Sequence, residues 1–513
     1  MSAGRYILGL DCGTSVVKAA LFDAEGRCAG VRRETFEGVS PRPGWTEYDP
    51  AALWTTAAAA VRGALADAGA RAADVAAVSP TGAGNGALLI GADDRPVRHG
   101  IFAVDNRAAA MMARDAADGL PGRARPIHGQ TSWTGQMANL LRWLRLNEPA
   151  AIDRTAKVFA IKDYVKYRLC GRHVGDYSEH SKVGLMDLRR RAFTAELLGL
   201  YGIGELAGRL PELAGSPEMV GRVTSGAAAE TGLAAGTPVA NGLADIDASA
   251  LGAGVARAGQ LSVVAGTWSI NQLILDRPIF DERLFGLSHY VVEGLWEELE
   301  ASPSSTANLT WFVQQCGGDL RAEAERAGES VYDRINRMVA SVPAATTDLF
   351  FHPYLYGSNV KTNARAGFYG LAGWHGRAEM LAALYEGVAY SHNQHVEKLK
   401  ALGVPVVEAR LSGGAAHSEV WSQLFADAMN LPVAVADAEE TGALGAAVCG
   451  AVGAGWYPDA AAAAERMARV ARRHEPDAAR AARCAERYAG YRRITEAMGP
   501  VWDEIERTFG RRA

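Results

Sequence analysis

Two carboxylates, Asp245 and Asp247, stand just ahead of a run of small residues in Asn241-Gly-Leu-Ala-Asp-Ile-Asp-Ala-Ser-Ala-Leu-Gly-Ala-Gly254. The residues before them, Gly236 to Ala240, read as a short buried strand. The run after them, Ala248 to Ala253, reads as a helix with almost no side-chain bulk. A carboxylate at such a junction lies near the first free N–H groups of the helix, and the positive end of the helix dipole favours its ionised form. An aspartate held ionised in a cleft can take a proton from a substrate hydroxyl. The plainer role for either residue is a helix N-cap.

A second chemical stretch is Asp11-Cys-Gly-Thr-Ser15. Gly13 permits a tight turn, and the N–H groups and hydroxyls of Thr14 and Ser15 could close around a phosphate as a backbone nest does. Lys18 could reach the same anion, and Asp11 could hold a hydrated magnesium ion, which usually takes one or two carboxylates. An ordinary β-turn uses the same residue types. The pattern recurs half a chain later in Gln260-Leu-Ser-Val-Val-Ala-Gly-Thr-Trp-Ser-Ile270, so Gly266 and Thr267 form a second candidate phosphate loop. Two such hairpins bracketing a carboxylate junction suggest a duplicated architecture with a cleft between the copies. In Leu411-Ser-Gly-Gly-Ala-Ala-His-Ser418, Gly413 and Gly414 allow close approach of a flat ligand. An adenine could lie over Gly414 with Ser418 at its edge. Asp105 and Arg107 offer the acceptors and donors a polyol needs, with a surface ion pair as the alternative.

These residues need elements to hold them. Tyr6 to Leu10 and Val16 to Phe22 read as strands joined by the Asp11–Ser15 turn. A helix is expected from about Ala51 to Asp67, started by Asp49 and Pro50. Gly82-Ala-Gly-Asn-Gly86 reads as only a glycine-rich turn after the strand Val75 to Val78. Asp163 to Leu169 reads as an amphipathic helix stopped by Gly171. Glu408 to Ser412 is strand-like, and Glu439 to Ala447 opens a small-residue helix suited to a tight crossing. His392 and His395 share a helix face but lack a third metal ligand nearby.

The whole chain has 513 residues and a net charge of −5. That length exceeds the usual single core, so two or more domains are expected. The charge disfavours non-specific binding to nucleic acid or an anionic membrane. The six cysteines are scattered, which suits reduced thiols in a cytoplasmic protein. No uncharged apolar stretch is long enough to span a bilayer, and the N-terminal apolar run is too short for a signal peptide. The chain does not fix its oligomeric state; a homodimer is one state open to it.

Leu8-Gly-Leu-Asp-Cys-Gly-Thr-Ser15, Gly44-Trp-Thr-Glu-Tyr-Asp-Pro50, Lys162-Asp-Tyr-Val-Lys-Tyr-Arg-Leu169, the Gly242 to Gly254 segment and Gly413-Gly-Ala…Trp421-Ser-Gln…Ala426-Asp427 resemble the motifs of the FGGY carbohydrate kinases. They occur in that family's order and cover nearly the whole chain. Ala265-Gly-Thr-Trp-Ser269 and Leu349-Phe-Phe-His-Pro-Tyr-Leu-Tyr-Gly-Ser-Asn359 are most similar to the kinases of L-xylulose within it. The resemblance implies an α/β protein of two actin/hexokinase-like domains, each with a ribonuclease H-like core, closing a cleft over ATP and a sugar. The domains would be 1–254, with the sugar site, first phosphate loop and catalytic aspartate, and 255–513, with the second phosphate loop and adenosine site.

Carried over by position, the resemblance makes Asp245 the catalytic base and Asp11 the Mg2+-associated aspartate. Thr14, Ser15 and Lys18 match the first phosphate loop, Gly266 and Thr267 the second. Gly414 and Ser418 match the adenosine site, and Asp105 falls where the family often contacts sugar. The implied reaction is ATP-dependent phosphorylation of a small sugar, a pentulose such as L-xylulose. Erythritol, D-xylulose, L-ribulose and glycerol are alternative substrates, and a non-catalytic sugar-sensing protein is the alternative of another class. One departure bears on the sugar. Around Val78 to Gly86 many relatives carry a glutamine or a Met-His pair that touches substrate, whereas here the nearest position is Ala83. Asp247 stands where relatives are often apolar or neutral, and its role is open.

Overall fold

The computed structural model describes residues 5–359 and 361–509. They form two compact units. The first holds the chain up to Ala258, then Ile274–Glu298 and Ala438–Arg469; the second holds Gly259–Leu273, Leu299–Asp437 and the chain from Val470. The division is therefore interleaved, not a single cut near residue 254.

The first unit is built on β1 (Tyr6–Cys12), β2 (Val16–Phe22), β3 (Cys28–Thr35), α1 (Pro50–Asp67), β4 (Val75–Gly82), α2 (Ile161–Cys170), β5 (Met219–Arg222), β6 (Pro238–Ala240), β7 (Leu243–Ala244) and α3 (Asp245–Gly252). The sheet order is β5-β6-β4-β1-β2-β3, with β7 also paired to β4. β1 and β2 form the expected antiparallel hairpin, in which Asp11 faces Lys18. β4 lies parallel to β1 on its other side. The strands' apolar runs are buried on both faces because helices cover both. On one face α1 packs through Leu53, Trp54, Ala57 and Val61 against Leu8, Leu10 and Val17. Asp49 caps α1 by accepting the Ala51 N–H at 2.9 Å, and Gly171 ends α2 in the left-handed region, both as the sequence suggests.

The other face is covered by α3 and the late helix Thr441–Gly453, whose alanines bury Ile7, Ala20 and Ala77. Glycines let these backbones meet. A Cβ on Gly9 would lie 1.9 Å from the Ala443 carbonyl oxygen, and one on Gly445 would lie 1.9 Å from that of Ala248. This is the tight crossing foreseen for Glu439 to Ala447.

The second unit repeats the plan with β8 (Gln260–Ala265), β9 (Ser269–Leu275), α4 (Val331–Ala340), α5 (Arg377–Lys400), β10 (Glu408–Ser412), α6 (Glu419–Met429), β11 (Val433–Ala436) and β12 (Val470–His474). β8 and β9 form an antiparallel hairpin, β10 is parallel to β8, β11 is parallel to β10 and β12 is antiparallel to β11. A hairpin followed by parallel neighbours on one side is the arrangement of β2-β1-β4-β6, so each unit is a copy of one α/β design. Among the described residues no helix is long and apolar enough to cross a membrane.

Candidate functional site

In the first unit, the Asn241–Asp245 turn is braced from below by buried charges. Lys162 lies 2.7 Å from Asp163 and 2.6 Å from Asp176. Lys166 lies 2.8 Å from Asp163 and donates to the Asn241 carbonyl at 2.9 Å. His180 completes the cluster, 2.9 Å from Asp163. Charges so enclosed persist only when each is paired. Asn241 donates to the Gly175 carbonyl at 2.9 Å, and Ala244 N–H donates to Ser178 Oγ at 3.0 Å. The α2 segment read as amphipathic thus buries its lysines inward to fix this turn.

Asp245 is the first residue of α3, and the N-cap position falls to Ala244. The Asp245 carboxylate accepts the Ile246 N–H at 2.8 Å and is half-buried. Its pKa is pushed up to about 6, chiefly by burial and then by the charge of Asp11, against the N–H groups of Ile246 and Gly84 and the charge of Lys182. The helix dipole was expected to favour the ionised form; loss of water outweighs it. A base poised near neutrality suits proton transfer from a hydroxyl.

Asp247 is fully buried. Lys182 lies 2.8 Å from it and 2.6 Å from Glu297, and Glu297 also accepts the Ser288 hydroxyl at 2.8 Å. Burial and the Glu297 charge raise the Asp247 pKa well above its usual range, whereas Lys182 holds Glu297 ionised, below the usual carboxylate value. Asp247 is a closed network member, two residues along α3 from Asp245 and on the other side of the helix.

Asp11, at the end of β1, is half-buried, and burial raises its pKa despite Lys18. Its Oδ2 would lie 2.9 Å from a Cβ on Gly442, so glycine there keeps the space beside the carboxylate open. Gly13 N–H donates to the Val16 carbonyl at 3.1 Å, closing the hairpin tightly, and Thr14 and Ser15 are exposed at its tip. Lys18 sits 3.0 Å from Glu440 and 3.8 Å from Asp11. The sequence did not point to Glu440, which also pairs with Arg33 at 2.6 Å.

Asp105 is completely buried. Its oxygens accept from the Arg107 N–H and Nε, both at 2.8 Å, from Arg107 Nη2 at 2.9 Å and from the Thr46 N–H at 2.6 Å. It forms a buried pair with Arg107, not a surface one, and Arg107 stacks 4.0 Å from the Trp45 ring centroid. Glu179, also fully buried and unremarked in the sequence, lies close to Asp245 across Gly84.

In the second unit, three loops meet. Gly266 and Thr267 connect β8 to β9, and Thr267 is exposed. Ser305 N–H donates to the Thr267 carbonyl at 3.0 Å, and Thr306 donates to the Gly266 carbonyl through its N–H at 2.9 Å and its hydroxyl at 2.7 Å. Gly413 (φ +82°) rests against this loop, where a Cβ would meet the Ala265 oxygen at 2.6 Å. Gly413 and Gly414 are both exposed. Ser418 is buried: it caps α6 by accepting the Trp421 N–H at 3.1 Å and donates to Asn336 Oδ1 at 2.6 Å. Tyr385, stacked on Trp421 at 3.9 Å, donates to the same oxygen at 3.0 Å. Asn336 on α4 is therefore the half-exposed polar group at this edge. Its place shows only in the fold, because α4 is distant in sequence from Ser418.

His392 and His395 belong to no group of three or more possible metal ligands among the described residues. His392 lies 2.9 Å from Ser305 and 2.9 Å from Asn271. His395 lies 2.8 Å from Asn271 and 2.9 Å from Ser302. Burial lowers the His392 pKa to about 3, so this neutral network braces the 305–306 loop beneath Gly266.

Residues 6–252 match the FGGY family of carbohydrate kinases, N-terminal domain, and residues 261–454 match the C-terminal domain of the same family. The chain is 37% identical over 496 residues to the L-xylulose/3-keto-L-gulonate kinase of Escherichia coli, covering 96% of this chain and 97% of that one. It is 32% identical over 524 residues to the erythritol kinase of Brucella abortus, covering 98% of each. The solved xylulose kinase from Rhodospirillum rubrum superposes with a TM-score of 0.87 at 27% identity, over 97% of this chain and 100% of that chain.

Proposed function

The chain belongs to the FGGY family of carbohydrate kinases, and from that we propose that it transfers the γ-phosphoryl group of ATP to a hydroxyl of a pentulose such as L-xylulose, with Asp245 as the base. One observation carries this reading: a half-buried aspartate at the first position of α3, beside Asp11, whose pKa of about 6 suits it to accept a hydroxyl proton.

The first unit contributes the acceptor chemistry. Asp245 takes the proton as the sugar oxygen attacks phosphorus. The exposed Thr14 and Ser15, with the tight Gly13 turn, offer hydroxyls and N–H groups to phosphate oxygens. Lys18 leaves Glu440 and Asp11 to meet the incoming charge. Asp11, with open space toward Gly442, is a carboxylate suited to a hydrated Mg2+. Such an ion supplies neutralisation of phosphate charge. Asp105 acts indirectly by fixing Arg107 and the Thr46 turn. Within the second unit, Gly266 and Thr267 offer a phosphate loop, and Gly413, Gly414 and the Ser418–Asn336 edge offer a place for adenosine. Fixed donors of this kind act through placement, without reorganising during the reaction.

The test is sugar-dependent ADP release measured with L-xylulose, D-xylulose, L-ribulose, erythritol and glycerol. L-xylulose is expected to give the highest kcat/KM. Higher turnover of erythritol would move the substrate to the polyol represented by the Brucella abortus relative. Asp245→Asn should lower kcat by roughly 10²–10⁴-fold, the range for loss of a general base. Sugar binding without ADP release by the wild-type protein would favour a sensing role instead.

A further inference from the structure

The glycine-rich turn after β4 is more than a connection. Asn85 adopts φ +60°, a left-handed conformation uncommon outside glycine. Successive N–H groups around such a residue can converge on anions. Here the turn lies against two different carboxylates. The Gly84 N–H favours the ionised form of Asp245, and that of Asn85 donates to Glu179 Oε1 at 2.8 Å. The turn is held from outside as well: Asn85 Oδ1 accepts the Met137 N–H at 3.3 Å, and Gly86 N–H donates to the Gly135 carbonyl at 3.1 Å.

Glu179 Oε2 is enclosed and has no hydrogen-bond partner. A Cβ on Gly84 would lie 3.3 Å from that oxygen and 3.6 Å from Asp245 Oδ1. Gly84 therefore brings the two acids to either side of one narrow point. An enclosed, unpaired carboxylate oxygen is costly unless the group keeps its proton. Burial is the main force on Glu179; Lys162 and the Asn85 N–H oppose it, Asp245 and Asp176 add to it, and the result is a pKa pushed up to about 8. Lys162 cannot fully offset burial because Asp163 and Asp176 already hold it.

Resting on the assignment of Asp245 as base, we propose that Glu179 is a positioning residue for it: Glu179 anchors the Gly84–Asn85 turn, which lies against Asp245, and the enclosed Oε2 sits beside the base across Gly84. In its neutral form Glu179 leaves Asp245 and Asp11 as the local negative charges. Its ionisation adds a third at the place where phosphoryl charge must gather.

The experiment uses the full chain with L-xylulose, or erythritol if the panel favours it, and follows kcat from about pH 5 to about pH 10. Wild-type kcat is expected to fall as pH rises through about 8. Glu179→Gln keeps an acceptor for the Asn85 N–H; it should lose only a few fold at neutral pH and lack that alkaline fall. Glu179→Ala removes the anchor and should lower kcat at least about tenfold, with KM for ATP changed less than about twofold. An alkaline limb in Glu179→Gln identical to wild type overturns the proposal, as does wild-type kcat in Glu179→Ala. If the alanine variant fails to fold, the limb of the glutamine variant decides alone. Asp245→Asn separates the two claims. Retained turnover there sinks the base assignment itself, whereas an inactive Asp245→Asn with wild-type-like Glu179 variants sinks only the positioning role.

Discussion

Asp245 holds its proton to about pH 6 in the folded chain and to 3.8 when free of the fold. Two outcomes follow from that gap. First, kcat should rise with pH through an acid limb near pH 6, because only the ionised carboxylate accepts a proton. A pH–rate profile checks this. Second, the folded chain binds the extra proton between those two values, so the stability this group contributes is present below 3.8 and lost as pH rises through about 6. Asparagine carries no charge at any pH. Asp245→Asn should therefore melt above wild type at about pH 7, with the difference vanishing near pH 4. A lower Tm at neutral pH would contradict the raised pKa. The residue itself was legible in sequence, from its place between a short strand and a small-residue helix. The direction of its titration was not. The dipole and the Ile246 N–H are local and can be read from neighbours, but Asp11 and the burial that raise the pKa arrive from distant segments.

At the scale of elements, α3 and helix Thr441–Gly453 place the base. Gly445 meets the Ala248 carbonyl, one turn along the helix that Asp245 begins. Gly445→Ala has no room for its methyl, so the helices must part. Overpacking of this kind costs about 1–3 kcal/mol, read as a lower urea midpoint, and kcat should fall with it because α3 moves. Gly208→Ala, where a Cβ meets nothing within 4 Å, is the control and should change neither. The small-residue character of both helices was visible in the sequence; that they cross each other was not, since composition shows tolerance for a close neighbour without naming it. Likewise the hairpins β1–β2 and β8–β9 were readable from alternating apolar runs and Gly-Thr turns. The Gly82–Gly86 segment was read too plainly, because nothing local shows that its N–H groups face two acids.

At the scale of the molecule, the first unit is completed by segments made late in the chain. It takes Ile274–Glu298 and Ala438–Arg469 from the later half of the chain. Helix Thr441–Gly453 buries Ile7 of β1, Ala77 of β4 and Leu251 of α3. A fragment ending at Ala258 would leave that apolar face bare, and exposed faces of this size drive association. The 1–258 fragment should therefore lack cooperative unfolding and aggregate, whereas the full chain unfolds cooperatively; thermal melts of both decide it. Duplication of the design was legible from the repeated hairpin. The interleaving was not, because it depends on which face the 441–453 helix covers.

The late arrival of that helix sets a schedule for synthesis. A ribosome makes β1, β4 and α3 long before it reaches Thr441, although domains generally fold as units while they emerge. Here the first half of the nascent polypeptide must wait, part of one sheet face wet, until residues 441–453 have been made.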